Sequence, residues 1–215
     1  MRKTLLSILA LALMAGLMLS MSVPALAGEN YHYKSTGANA YWFMYDEVTG
    51  VYTDISVYGY DSVDQNPPGR PQAKQYVGIG VFQYRYDGDE YIPLSDVSYW
   101  GYVPEGCLVI DSKLASASIV ADDLGAWKWD YVAEEGTPLS LDVNVSWMAT
   151  GPLNRNNYKW HYHTPYTNMN HHYNGKSREA TAQGNICYDG TGIILGASDG
   201  AAMFSSREGY VEVSR

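Results

Sequence analysis

Residues 139–147 read Leu139-Ser140-Leu141-Asp142-Val143-Asn144-Val145-Ser146-Trp147. In an extended chain Leu139, Leu141, Val143, Val145 and Trp147 fall on one side, and Ser140, Asp142, Asn144 and Ser146 on the other. A helix would scatter those five apolar side chains around its axis, whereas a strand lays them on one buried face. The stretch therefore predicts a half-buried β-strand. Residues 54–60, 76–84 and 126–131 alternate in the same way, and 106–110 is a short apolar run. Thr49-Gly50, Asp87-Gly88, Asn174-Gly175 and Asp189-Gly190 are placed to turn the chain between strands, since Asn, Asp and Gly tolerate positive φ. Residues 64–71, with three prolines, predict a long surface loop. Beyond the first 27 residues no long window shows helical periodicity. The expectation is an all-β fold, an antiparallel β-sandwich or jelly-roll-like domain of roughly ten strands.

The chain opens differently. Arg2 and Lys3 precede an apolar run from Leu5 to Val23, which ends in Pro24-Ala25-Leu26-Ala27. A basic start, an apolar middle and small residues at the last and third-last positions describe a signal peptide, residues 1–27, cut after Ala27. An uncleaved membrane anchor is the rival, because the run reaches the lower length for spanning a bilayer. Pro24 and the two alanines favour cleavage. The remaining 28–215 are then a single domain, secreted or held at the extracellular surface, with no membrane span after cleavage.

Formal net charge is −9. Without Arg2 and Lys3, twelve basic residues face 23 acidic ones, a charge of about −11 that disfavours nucleic acid as a partner. No basic patch is visible along the chain. Tyr occurs 20 times against 3 Phe, and Gly 21 times, which suits strands, turns and half-wet surfaces. Cys107 and Cys187 are the only cysteines, and in an oxidising compartment a disulfide between them is expected. It would close a loop of about 80 residues, worth about 4–5 kcal/mol in the chain-entropy account. Two separate buried thiols are the alternative.

Four of the five histidines lie in Trp160-His161-Tyr162-His163 and Asn170-His171-His172-Tyr173. On a strand His161 and His163 share a face opposite Tyr158, Trp160 and Tyr162, and the Trp160 face is expected to pack inward. Two such imidazoles could meet one metal ion, with His171 or His172 as a third ligand, but no nearby carboxylate is spaced to complete the set, and solvated strand and loop histidines are the simpler reading. Trp160, His161, His163 and His172 are the candidate ligand-binding residues. Any binding through the histidines would change between about pH 5.5 and 7.5. Asp87-Gly88-Asp89-Glu90 could offer oxygens to calcium, but a hairpin turn accounts for it fully. Neither a nucleophilic triad nor a cofactor motif stands out, and Asp122-Asp123 and Glu134-Glu135 would point to opposite faces of a strand. Trp127, Trp129, Tyr131, Tyr158, Trp160 and Tyr162 could stack on sugars if exposed. Alternating large rings usually face inward, so core packing is the expectation for them.

Residues 52–61, Tyr52-Thr53-Asp54-Ile55-Ser56-Val57-Tyr58-Gly59-Tyr60-Asp61, and 141–153, Leu141 through Trp147 to Gly151-Pro152-Leu153, resemble stretches of a family of secreted bacterial β-rich proteins of unknown function. The Pro-rich loop after the first and the His/Asn-rich segment after the second keep a similar order. The resemblance spans most of 36–190 and implies an exported β-rich protein, with no activity or catalytic residue attached. The expected function is a non-catalytic one, binding or structural, with a glycan or an envelope component as partner. A secreted hydrolase acting on polysaccharide is the alternative.

Overall fold

The structure is a computed structural model that describes residues 30–65, 72–164 and 167–214. The expected signal peptide and residues 66–71 of the Pro-rich loop lie outside the described residues. Eleven strands follow in chain order: β1 (Asn30–Asp46), β2 (Val51–Gln65), β3 (Gln72–Asp87), β4 (Glu90–Tyr102), β5 (Leu108–Ile110), β6 (Ser116–Asp130), β7 (Glu135–Ala149), β8 (Asn154–His163), β9 (Thr167–Tyr188), β10 (Thr191–Leu195) and β11 (Gly200–Ser214). Every pairing is antiparallel, and no helix occurs among the described residues, so the all-β antiparallel expectation holds.

All eleven strands belong to one sheet. Its hydrogen-bonded path runs β1-β2-β3-β4-β6-β7-β9-β11 and returns to β1, so it closes on itself. Followed from Ala38 through Gly59, Val77 and onward, the registers return to β1 displaced by about twelve residues, the shear of a strongly tilted barrel. Two long strands make the closure. β6 pairs β5 and β4 at its two ends on one side and β7 on the other. β9 pairs β8 and β7 on one side and β11 and β10 on the other, with the changeover at Ala180.

The alternation read from residues 139–147 sets the inside. Leu141, Val143, Val145 and Trp147 are buried, joined by Ala38, Ala40, Trp42, Ile55, Val57, Ile79, Ile119, Ile186 and Met203 from the other walls. Trp147 spans the interior and donates its indole N–H to the Asn39 carbonyl (2.9 Å); Trp42 does the same to Gly196 (2.8 Å). Both tryptophans are thereby buried without an orphaned donor. At Gly59 a Cβ would strike the side chains of Leu108 and Ile119, so the wall carrying β2 packs closely on the wall carrying β5 and β6. The barrel is flattened there into two facing layers, which is how a closed sheet comes to pack like a sandwich.

Asp189-Gly190 is the expected tight turn, with both residues at positive φ between Tyr188 and Thr191. Asn174-Gly175, read as a turn, instead lies inside β9, where the ring of Tyr173 occupies the space a Gly175 side chain would need. The cysteine expectation is also corrected. Cys107 and Cys187 are both free thiols. Cys107 leads into β5 and Cys187 sits on β9, with β6 and β7 between them. That separation is roughly 14 Å of sheet, twice the reach of a disulfide.

Candidate functional site

Past Ala180 the wall made by β8, the first half of β9, β11, β1 and β2 continues beyond the barrel as a sheet with two open faces. Every residue of β8 is exposed, and among the described residues β8 pairs only with β9. The expectation that the Trp160 face packs inward is therefore corrected: Trp160 is 44% exposed and rests on this wing, away from the core. Cross-strand rings hold the hairpin instead. Tyr158 stacks on Tyr173 with centroids 4.7 Å apart, and Trp160 lies 5.0 Å from His171. His171 is buried between Tyr158 and Trp160, with Glu208 3.6 Å from its Nε2.

The opposite face of the wing carries His161, His163 and His172, in line with the expected parity. His161 and His163 are exposed, nearly parallel at 9° and 6.2 Å apart, and His161 Nδ1 lies 2.7 Å from Asn170 Oδ1. No group of three or more His, Cys, Asp or Glu side chains placed to hold a metal occurs among the described residues. The four candidate residues thus divide between two faces, Trp160 on one and the three histidines on the other.

That histidine-bearing face also collects charge that sequence reading missed. The registers Lys34↔Arg207, Arg207↔Asn174 and Asn174↔Asn157 form one row, and Arg155↔Lys176 and Lys159↔His172 flank it. Lys34, Arg155, Lys159, Lys176 and Arg207 are five of the chain's 14 basic residues. They come from positions 34 to 207, so only strand register brings them together. A cleft of about 640 Å³ opens beside them, with Leu108, Ile110 and the turn after β5 as its far wall. Two carboxylates line it. That of Asp111 is committed to its turn, accepting from the N–H groups of Ala115 (3.1 Å) and Lys113 (2.7 Å), which hold it below the usual carboxylate range. Asp61 Oδ1 is buried with no hydrogen-bond partner, as is Oε1 of Gln75 directly opposite it on β3.

The outside of the barrel is the second feature. Trp127, Trp129, Tyr131, Tyr158, Trp160 and Tyr162 are all exposed, so the core reading of these rings is corrected. The physical reason is that Ala117, Ile119, Ala121, Leu124 and Ala126 take the inward positions of β6, and its bulge at 122–123 leaves Trp127 and Trp129 outside. Trp100 faces Trp127 directly across the β4–β6 seam, the two being 45% and 40% exposed. Trp127 lies down over Gly136, much as Tyr58 covers Gly78 and Phe204 covers Gly37. A second group crosses β1 to β4: Tyr45, Tyr52, Tyr84 and Tyr91 touch in sequence, with centroids 4.6, 5.2 and 5.1 Å apart. Tyr41 beside it donates to Asp54 (2.8 Å), and burial together with that carboxylate pushes its phenol up.

No protein-family model matches the chain, and no curated protein matches it. Among solved structures it is similar to a crystal structure provisionally described as AttH from Nitrosomonas europaea, with 9% identity and a TM-score of 0.29. The match covers 90% of this chain and 57% of the other, so the chain spans little more than half that protein's length. A likeness of this degree carries no functional argument.

Proposed function

We propose that this chain is an exported, non-catalytic binding protein that holds carbohydrate on aromatic rings displayed outside its barrel. The carrying observation is the seam where Trp100, Trp127 and Trp129 stand exposed on one outer surface. A barrel interior packed with side chains leaves binding to the outside. Indoles are costly to leave in water, and a ring lying flat over a glycine offers its free face to whatever docks. Sugar rings have apolar faces of matching size, and their hydroxyls keep contact with water. Export belongs to the same reading, since the features of 1–27 point to cleavage; the mass of the exported protein should place Gly28 first.

The experiment is affinity electrophoresis through gels containing soluble polysaccharides, with tryptophan fluorescence as a second readout. Retardation and a fluorescence change are expected for the wild type. Trp100→Ala/Trp127→Ala should lose retardation at least tenfold while keeping its far-ultraviolet spectrum. If no polysaccharide retards the wild type, or the double variant binds as well as the wild type, the proposal fails.

A further inference from the structure

The basic face beside the cleft has a chemistry the ring surfaces lack, and the proposal drawn from it rests on the carbohydrate reading above. We propose that the cleft between the wing and the turn after β5 binds an acidic polysaccharide, one whose sugars carry carboxylate or sulfate groups. Lys34, Lys176 and Arg207 line it, and the register places Arg207 directly beside Lys34. None of the three has a carboxylate within ion-pair distance among the described residues; the ion pairs there are Lys128–Asp189 and His171–Glu208. Lys176 bonds only a carbonyl, that of Ser112 at 3.3 Å. A strongly acidic chain that gathers cations without pairing them leaves local positive potential inside a repulsive outer field. An anion reaching the cleft gains charge-assisted hydrogen bonds from the guanidinium and ammonium groups.

Two features favour a sugar acid over a polyphosphate. Asp61 and Asp111 stand in the same cleft, and would oppose the dense charge of a nucleic acid, one phosphate per 1.7 Å of duplex. The unpartnered oxygens of Asp61 and Gln75 are served either by a rotated Gln75 amide or by a donor from outside, and a saccharide brings hydroxyl donors along with its acid. The face is also extended. From β8 to β2 it crosses five strands, roughly 19 Å, the span of a short oligosaccharide rather than of a single ion.

The test compares polygalacturonate with the same polymer fully methyl-esterified, which removes the charge and keeps the sugar, and adds a single-stranded oligothymidylate. The whole exported chain is used. Tight binding of the acid form is expected, at least tenfold weaker binding of the ester, and weakening of the acid form as salt rises from 50 to 200 mM. Lys34→Gln/Arg207→Gln removes two exposed charges and should cost at least tenfold on the acid form with no effect on the ester. Arg85→Gln, an exposed charge elsewhere, should change neither by more than twofold. Equal binding of acid and ester, with the double variant unchanged, overturns this inference and leaves the carbohydrate reading standing. Failure of both polymers to bind overturns this inference alone, because the carbohydrate reading falls only if no polysaccharide retards the wild type. Tighter binding of the oligothymidylate than of polygalacturonate assigns the cleft to nucleic acid and overturns the proposal as stated.

Discussion

At the scale of single residues, two loops of the same length differ in one instructive way. Asp46 and Asp130 each end a strand and accept hydrogen bonds from the loop that follows: Val48 N–H and the Thr49 hydroxyl in one case, Val132 and Ala133 N–H in the other. Both loops close through a residue at positive φ just before the next strand, Gly50 at 69° and Glu134 at 56°. Gly adopts that conformation without steric cost, whereas Glu does not. Glu134→Gly should therefore raise stability by about 0.5–1 kcal/mol, read as a higher denaturation midpoint with an unchanged slope. Tyr84 supplies a second residue-scale expectation. Burial, with Asp54 and neighbouring tyrosines, pushes its phenol up to about 12. An unfolded tyrosine ionises near pH 10. The stabilisation is fully present below that pH and is lost as pH rises towards 12, because the unfolded chain releases its protons first. The chain has 20 tyrosines, so the difference in phenolate absorbance between wild type and Tyr84→Phe isolates this ring. That difference should rise in a step that coincides with unfolding, and Tyr84→Phe should move the unfolding step to higher pH. If the difference rises gradually near pH 10 with the fold intact, the ring is not buried as described.

At the scale of elements, the pairing of β7 with β9 decides whether the sheet closes. Val145 faces Gly184 there, and a side chain at Gly184 would run into the Asn144 carbonyl oxygen and the Val145 backbone. Backbone cannot step aside as a flexible side chain can, so the seam itself would have to open. Gly184→Ala should cost about 2–3 kcal/mol, the upper range for overpacking. Gly192→Ala on β10, with nothing within 4 Å of the added methyl, should stay within about 0.5 kcal/mol. Thermal melts of the two variants side by side check the contrast. The strands themselves were legible in the sequence wherever one face was apolar and the other polar, as in 139–147. Legibility failed where a strand has no buried face. In β8 the rings and the histidines alternate as read, but alternation alone does not say that both faces meet water. Asn174-Gly175 misled for a related reason, because the close approach of the Tyr173 ring and a turn both ask for glycine.

For the molecule as a whole, closure and site are both long-range facts. Strand identity follows from a window of nine residues, yet the ring closes through β1 with β11 and β7 with β9, and no local pattern reports those pairs. The same holds for the basic face, where Lys34 and Arg207 join the three cations of the β8–β9 pair only through the long-range β1–β11 and β9–β11 pairings. The architecture also sets an order of stability. β7 is bonded on both edges and places Leu141, Val143, Val145 and Trp147 in the core. β8 is bonded on one edge and has no buried residue of its own; its rings cover His171, and it can detach without opening a contact of the apolar core. Local opening needs little free energy where few apolar contacts are lost, and approaches the global value where many are. Hydrogen exchange followed by mass spectrometry should therefore resolve two classes. Peptides from 154–163 should exchange fast, even at amides bonded to β9, while peptides from 139–149 and 180–188 should exchange only at the rate of global unfolding. Adding denaturant should accelerate the second class with the full unfolding slope and leave the first nearly unchanged. A ligand held on the histidine-bearing face of the wing would slow the 154–163 peptides selectively, since ordering that hairpin is what such binding must accomplish. If 154–163 and 139–149 instead exchange together at every denaturant concentration, the wing is part of one cooperative unit with the barrel, and its open faces must be covered by something that binds them.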